Sequence, residues 1–165
     1  MTMKSTRPFY GAIALVAAAL LGFGYYLQFA KGLEPCPLCI FQRVTYIALG
    51  LVALGACVHG PRGFGARLYD GLILIAAVTG SAIAGRQVWM QHLPPDQVPS
   101  CGPGLDYMLE VFPLTDVIRM AFTGSGECAE VSWTFLSLSI AEWSLICFVL
   151  IGLLCIVHMF RRGPA

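Results

Sequence analysis

Charge is scarce in this 165-residue chain. Asp, Glu, Lys and Arg make up 12% of it, and ten Lys/Arg against nine Asp/Glu leave a formal net charge of +1. An ordinary soluble protein carries about 25%. With 58% hydrophobic residues and a mean hydropathy of +0.76, intrinsic disorder is excluded, because it needs the opposite balance. A basic excess is also missing, so no nucleic-acid partner is expected. Neither a nucleotide-binding Gly loop nor an HExxH zinc motif is present. A small aqueous core is excluded by surface-to-volume scaling, which leaves too much surface to hide this much apolar side chain. The composition is that of a membrane protein, and its seven cysteines are the chemically informative residues.

A hydrocarbon core of roughly 30 Å takes about 20 helical residues to cross. Four stretches meet that length: 9–29, 40–59, 68–90 and 140–160. None alternates with period 2, and all are rich in Ala, Leu or Gly, so they read as helices rather than barrel strands. Lys4 and Arg7 precede the first stretch as the basic region of a signal peptide would. Its apolar run is too long for one, however, and no small-residue cleavage site follows, so a retained helix is expected. The fold class expected is an all-α membrane protein, a single integral domain over 1–165. It is a four-helix bundle with a long loop over 91–139.

Basic residues in short loops set orientation. Six of the ten, Lys4, Arg7, Arg62, Arg67, Arg161 and Arg162, fall in the N-terminus, the loop after the second span and the C-terminus. Both termini are therefore expected in the cytoplasm. The long loop on the other side opens with a Pro-rich stretch, 92–99. Leu105, Met108, Leu109 and Phe112, and then Leu114, Val117, Ile118 and Ala121, have helical spacing, with Pro113 breaking it. Two short interfacial helices fit that pattern, as does a loop packed on the bundle. Tyr25, Tyr26, Trp89, Trp133 and Trp143 read as an interfacial aromatic belt rather than as cofactor-stacking rings.

The cysteines sort by depth. Cys57, Cys147 and Cys155 lie inside spans and read as small buried hydrophobes. Cys36, Cys39, Cys101 and Cys128 all fall at or beyond the non-cytoplasmic face, where disulfides persist. Four cysteines allow three connectivities. Adjacency favours Cys36–Cys39 with Cys101–Cys128, and a rearranged set stays open. Closing the longer loop is worth about 3.5 kcal/mol by chain entropy. Cys-x-x-Cys pairs are often redox-active with a lowered thiol pKa. Cys39 falls at the start of the second span, where the helix dipole favours a thiolate. Arg43 follows one turn later, where it either supports that thiolate, binds an electronegative oxygen of a ligand, or snorkels to the interface. A zinc site is disfavoured by the wide spacing of the second pair, and c-type haem by the absence of His after Cys39, so no metal is expected.

These residues resemble the DsbB family, the disulfide bond formation proteins of bacterial inner membranes. The resemblance is carried by Cys36-Pro-Leu-Cys39 with Gln42-Arg43, by the run Gly85 to His92, and by Cys101. It extends through Gly124 to Glu130 around Cys128, with Trp133 and Phe135. It implies a four-helix protein that re-oxidises a periplasmic DsbA-type dithiol oxidase and passes the electrons to membrane quinone, ubiquinone or menaquinone. It further implies that Cys101 is attacked by the reduced partner, that Cys128 is its disulfide partner and in turn attacks Cys36, and that Cys39 faces the quinone. Arg43 and His92 are implied at the quinone site, and the catalytic cysteines are implied to be periplasmic. Without the resemblance His92 reads as an interfacial residue. Gln42 departs from the family modestly, because Glu also occurs there. The rivals are a structural four-span protein with two stabilising disulfides, a paralogue serving another thiol partner, a quinone reductase of the vitamin K epoxide reductase type, and a zinc-binding membrane protein.

The orientation is testable. In sealed spheroplasts a membrane-impermeant maleimide is expected to label the reduced Cys36–Cys39 region, and a protease is expected to spare a tag placed after Ala165. Labelling that puts the N-terminus and the Cys-Pro-Leu-Cys segment on one face would overturn the four-span reading.

Overall fold

The computed structural model of the protein describes residues 6–94, 96–97, 113, 115–116 and 126–161. Four helices dominate: α1 (Arg7–Lys31), α2 (Pro37–His59), α3 (Phe64–Gln91) and α5 (Ile140–Arg161). All four are long and apolar enough to cross a membrane. Between α3 and α5 come a single helical turn, α4 (Gly126–Ala129), and a two-stranded hairpin, β1 (Thr134–Phe135) with β2 (Leu138–Ser139). The expected interfacial helices and Cys101 fall outside the described residues, apart from Pro113, Thr115 and Asp116.

The expected spans reappear a few residues longer, for local reasons. Pro37 sits in the first turn of α2, where its missing N–H costs nothing, and Cys36 takes the N-cap. The helix therefore starts three residues earlier than hydropathy indicates. Gly32 and Gly60 close α1 and α2 with φ of 65° and 63°, a left-handed conformation that favours glycine. The hairpin was not anticipated. Its register pairs Thr134 with Ser139 and Phe135 with Leu138, and its two turn residues, Leu136 and Ser137, both have positive φ. Such turns usually carry Asn-Gly or Asp-Gly, so this sequence gives no turn signal. Trp143 Nε1 donates to the Phe135 carbonyl at 3.0 Å and pins the hairpin to α5.

The start of α5 is a reciprocal cap. Ser139 N–H donates to Glu142 Oε2 at 2.6 Å, and Glu142 N–H donates to Ser139 Oγ at 3.2 Å. The Ser139 hydroxyl also reaches Gln91 Oε1 at 2.8 Å, which fastens this end of α5 to the end of α3.

In the bundle α1 packs on α2, α2 on α3, and α3 on α5. The outer faces stay apolar: Leu15 is 73% and Ile75 66% exposed. Such surfaces suit lipid rather than water. Midway along, Tyr46 of α2 stacks on Phe148 of α5, with ring centroids 4.0 Å apart, and its hydroxyl donates to the Ser144 carbonyl at 3.2 Å. Phe148 packs closely against Gly80 of α3, where a Cβ would run into its ring. At the end away from Cys36, Asp70 is buried, with Oδ1 3.0 Å from the Tyr10 hydroxyl and Oδ2 2.8 Å from His158 Nδ1. Phe9 stacks on His158 at 4.0 Å, so α1, α3 and α5 meet there.

Gly80→Ala is expected to destabilise the bundle by about 1–3 kcal/mol, the usual cost of overpacking. A lowered thermal midpoint in detergent would register it. Gly85→Ala is the control. The nearest atom to its added Cβ is Leu145 Cδ1 at 4.0 Å, so that variant should hold or slightly raise the midpoint.

Candidate active site

The site is built on the first turn of α2. Cys36 is the N-cap, with extended backbone (φ −66°, ψ 162°), and its sulfur accepts the Cys39 N–H at 3.4 Å. The two sulfurs are 3.0 Å apart, in hydrogen-bond contact. Both lie at a helix N-terminus, where backbone N–H groups and the dipole favour negative charge.

The short helix α4 brings Cys128 to this turn. Cys128 is buried with Cys36, Leu38, Ile83 and Met90 in one apolar cluster. Hydrogen bonding to Cys128, then to Cys39, together with burial, pushes the Cys36 thiol above its ordinary range. Cys36 thus meets both other sulfurs.

A pair of amides lies behind the sulfurs. Gln87 of α3 places Nε2 3.4 Å from Cys36 Sγ and 3.3 Å from Cys39 Sγ, and the Cys39 sulfur is 3.6 Å from Gln87 Oε1. Gln42 Nε2 donates to that same Oε1 at 2.7 Å. Sequence reasoning assigned no role to Gln87. It is visible there only as one residue of the run ending at His92, near the end of the third apolar stretch.

Both sulfurs and both amides line a cavity of about 520 Å³. Leu20, Leu21 and Leu27 of α1 supply apolar wall, and Cys39, Arg43 and Gln87 supply polar groups. The size and the few convergent polar groups are typical of a small-molecule site. Trp133, Phe135 and Trp143 line it as well, so two rings read as interfacial belt face the cavity. Trp133 stacks parallel to Phe135 at 6.1 Å and meets Phe23 edge-on at 5.6 Å. Cys147, read as a buried hydrophobe, is also on the wall.

Arg43 reaches the cavity, but it is held by α1 rather than by the thiol. Its Nη1 donates to Gln28 Oε1, its Nη2 donates to the Gly24 carbonyl at 3.2 Å, and its guanidinium lies 4.9 Å from the centre of the Tyr25 ring. Among the described contacts, the side-chain N–H donor at Cys39 Sγ is Gln87 and not Arg43. His92 caps α3 in an exposed position, its Nδ1 2.9 Å from the Val88 carbonyl, and does not line the cavity although its neighbour Gln91 does. Arg86 lies over Trp89, 4.4 Å from the ring centre. Among the described residues no group of three His, Cys, Asp or Glu side chains is arranged to hold a metal ion.

With this geometry in view, comparison with known proteins is informative. A model of the family "Disulfide bond formation protein DsbB" matches residues 6–158. A protein of Azoarcus sp. (strain BH72) named disulfide bond formation protein B is 50% identical over 159 residues, covering 96% of this chain and 95% of its own. Proteins of the same name from Marinobacter nauticus and Acinetobacter baumannii are 51% and 48% identical, covering 96% and 97% of this chain and 94% of their own length in each case. The purely structural alternative loses its footing here. The chain belongs to the DsbB family and is a multi-pass membrane disulfide oxidoreductase.

Proposed function

We propose that this chain re-oxidises a periplasmic DsbA-type dithiol by relaying its electrons through two cysteine pairs, with membrane quinone as final acceptor. In this reading the cysteine end of the bundle faces the periplasm and both termini face the cytoplasm. The observation that carries the reading is that Cys36 meets both Cys128 and Cys39, and that the Cys36–Cys39 pair lines the cavity.

The exchange balances as follows. A partner thiolate bonds to Cys101, the Cys101–Cys128 bond breaks, and Cys128 leaves as a thiolate. Cys128 bonds to Cys36, the Cys36–Cys39 bond breaks, and the electron pair leaves on Cys39. The partner's second thiolate displaces Cys101 and completes the partner's disulfide. Cys101 then attacks Cys128, restoring their bond and freeing Cys36. Two electrons have moved from the partner to Cys36 and Cys39. Each step is an ordinary thiolate–disulfide exchange.

The cavity fits a quinone by its chemistry: apolar and aromatic walls for a ring, and a guanidinium for a carbonyl oxygen. Ubiquinone and menaquinone both meet that description as two-electron acceptors, and with a DsbA-type couple near −120 mV the acceptor must supply the pull. Arg43 is the residue that would hold the ring oxygen, fixed in place by Gln28 and Gly24. His92, exposed and next in the chain to the cavity residue Gln91, would handle a proton there.

Purified Cys39→Ser, given a reduced thioredoxin-fold partner and a soluble quinone, is expected to lose quinone reduction to background. Wild-type turnover in that variant would overturn the path. Arg43→Ala should raise KM for the quinone about 10- to 100-fold, the worth of a charge-assisted hydrogen bond. Quinone-absorbance kinetics over a concentration series would measure it.

A further inference from the structure

We propose that Gln87 is a catalytic residue that solvates the Cys39 leaving thiolate, and that Gln42 is a positioning residue that aims the Gln87 amide. The inference rests on the exchange path above and adds a group to it.

An ionised sulfur formed at the edge of a bilayer loses its water, and the protein must replace it. The N-terminal dipole of α2 contributes, but only one side-chain N–H is directed at the Cys39 sulfur among the described contacts. That donor is Gln87 Nε2, at 3.3 Å. Gln87 is 4% exposed and Gln42 5%, so neither amide exchanges freely with water. A buried amide must also have its own groups satisfied. Gln42 Nε2 occupies Gln87 Oε1 at 2.7 Å, and this contact leaves Gln87 Nε2 to face the sulfurs. The reverse orientation would put two N–H groups together or two oxygens together, unless both amides turned at once.

The arrangement suits both states of Cys39. As a thiol, its S–H can donate to Gln87 Oε1 at 3.6 Å. As a thiolate, it accepts from Nε2 without any side chain moving. When Cys128 bonds to Cys36 and the Cys36–Cys39 bond breaks, the electron pair arrives on a sulfur whose donor is already in place. Preorganised donors of this kind avoid reorganisation at the moment of reaction. The same N–H lies 3.4 Å from Cys36 Sγ, so it meets both sulfurs of the disulfide that is broken.

Gln87→Glu replaces the donor by an acceptor at nearly constant shape, and Gln87→Met removes it while keeping the bulk. The readout is alkylation of Cys39 by iodoacetamide in the reduced full-length protein, followed across pH by peptide mass spectrometry. Both variants are expected to move the alkylation midpoint of Cys39 upward by about one pH unit or more, a roughly tenfold slower reaction at neutral pH. Gln42→Leu should move it in the same direction by less, because the donor stays but loses its orientation. A purely packing role would lower thermal stability and leave the midpoint where it was. Unshifted midpoints in the Gln87 variants would overturn the inference. Wild-type turnover with partner and quinone tests the underlying reading separately. Its absence sinks the electron path, whereas turnover with unshifted midpoints sinks only the role of Gln87.

Discussion

The constraint on which this protein turns is the solvation of a sulfur anion at the boundary of lipid. A thiolate in water is held by many donors, and a thiolate facing hydrocarbon by none. The chain meets the constraint with backbone first. Pro37 and the N-cap Cys36 start α2 so that Cys39 lies in its first turn, at the positive end of the dipole. Side chains complete the shell from α3, through Gln87, which is itself held by Gln42 of α2. Two helices must therefore keep a fixed rotation relative to each other, or the donor misses the sulfur.

The rest of the bundle reads as the frame for that rotation. Gly80 lets Phe148 approach α3 closely, and Tyr46 stacks on that ring, so α2, α3 and α5 interlock near mid-height. At the far end the buried Asp70 joins Tyr10 and His158, tying three helices through one carboxylate. Near the site, the cap between Ser139 and Glu142 starts α5, and the Ser139 hydroxyl holds Gln91. Sites carried on packed helices hold their geometry more closely than sites on loops. Cys128, the sulfur that α4 brings to the site, has to leave Cys101 and bond to Cys36 in the proposed relay.

Much of this was legible in the sequence, and the parts that were not share a cause. Hydropathy located the four spans to within a few residues, because lipid demands long apolar helices and little else does. The Cys-x-x-Cys pair and Arg43 were visible because Arg43 falls one turn after Cys39. What escaped was contact between distant parts of the chain. Gln87 is separated from Cys39 by a whole span and return, so nothing local tied it to the thiols. Arg43 turned towards Gln28 and Gly24, in a stretch that reads simply as the end of an apolar helix. The hairpin escaped for a different reason, because Leu136 and Ser137 adopt left-handed conformations without the residues that normally advertise them. The resemblance to the DsbB family was carried by motifs, but the motifs did not say which amide faces which sulfur.

The two sulfurs of Cys36-Pro-Leu-Cys39 are not equivalent, and their difference gives the proposed relay its direction. Cys36 is enclosed with Cys128, and its contacts and burial push its thiol up. Both sulfurs line the cavity and meet the Gln87 amide, but Cys39 is the less buried of the two and takes the slightly shorter amide contact, 3.3 against 3.4 Å. In thiol–disulfide exchange the sulfur that best carries negative charge leaves fastest. Attack on this disulfide from the Cys128 side therefore lands on Cys36 and expels Cys39, which sends the charge towards the cavity. Reversal requires Cys39 to give up its amide donor and the helix dipole together. A single tetrapeptide thus offers Cys36 to the incoming Cys128 and Cys39 as the better leaving group. The asymmetry is produced by where the first turn of α2 meets α3 and α4.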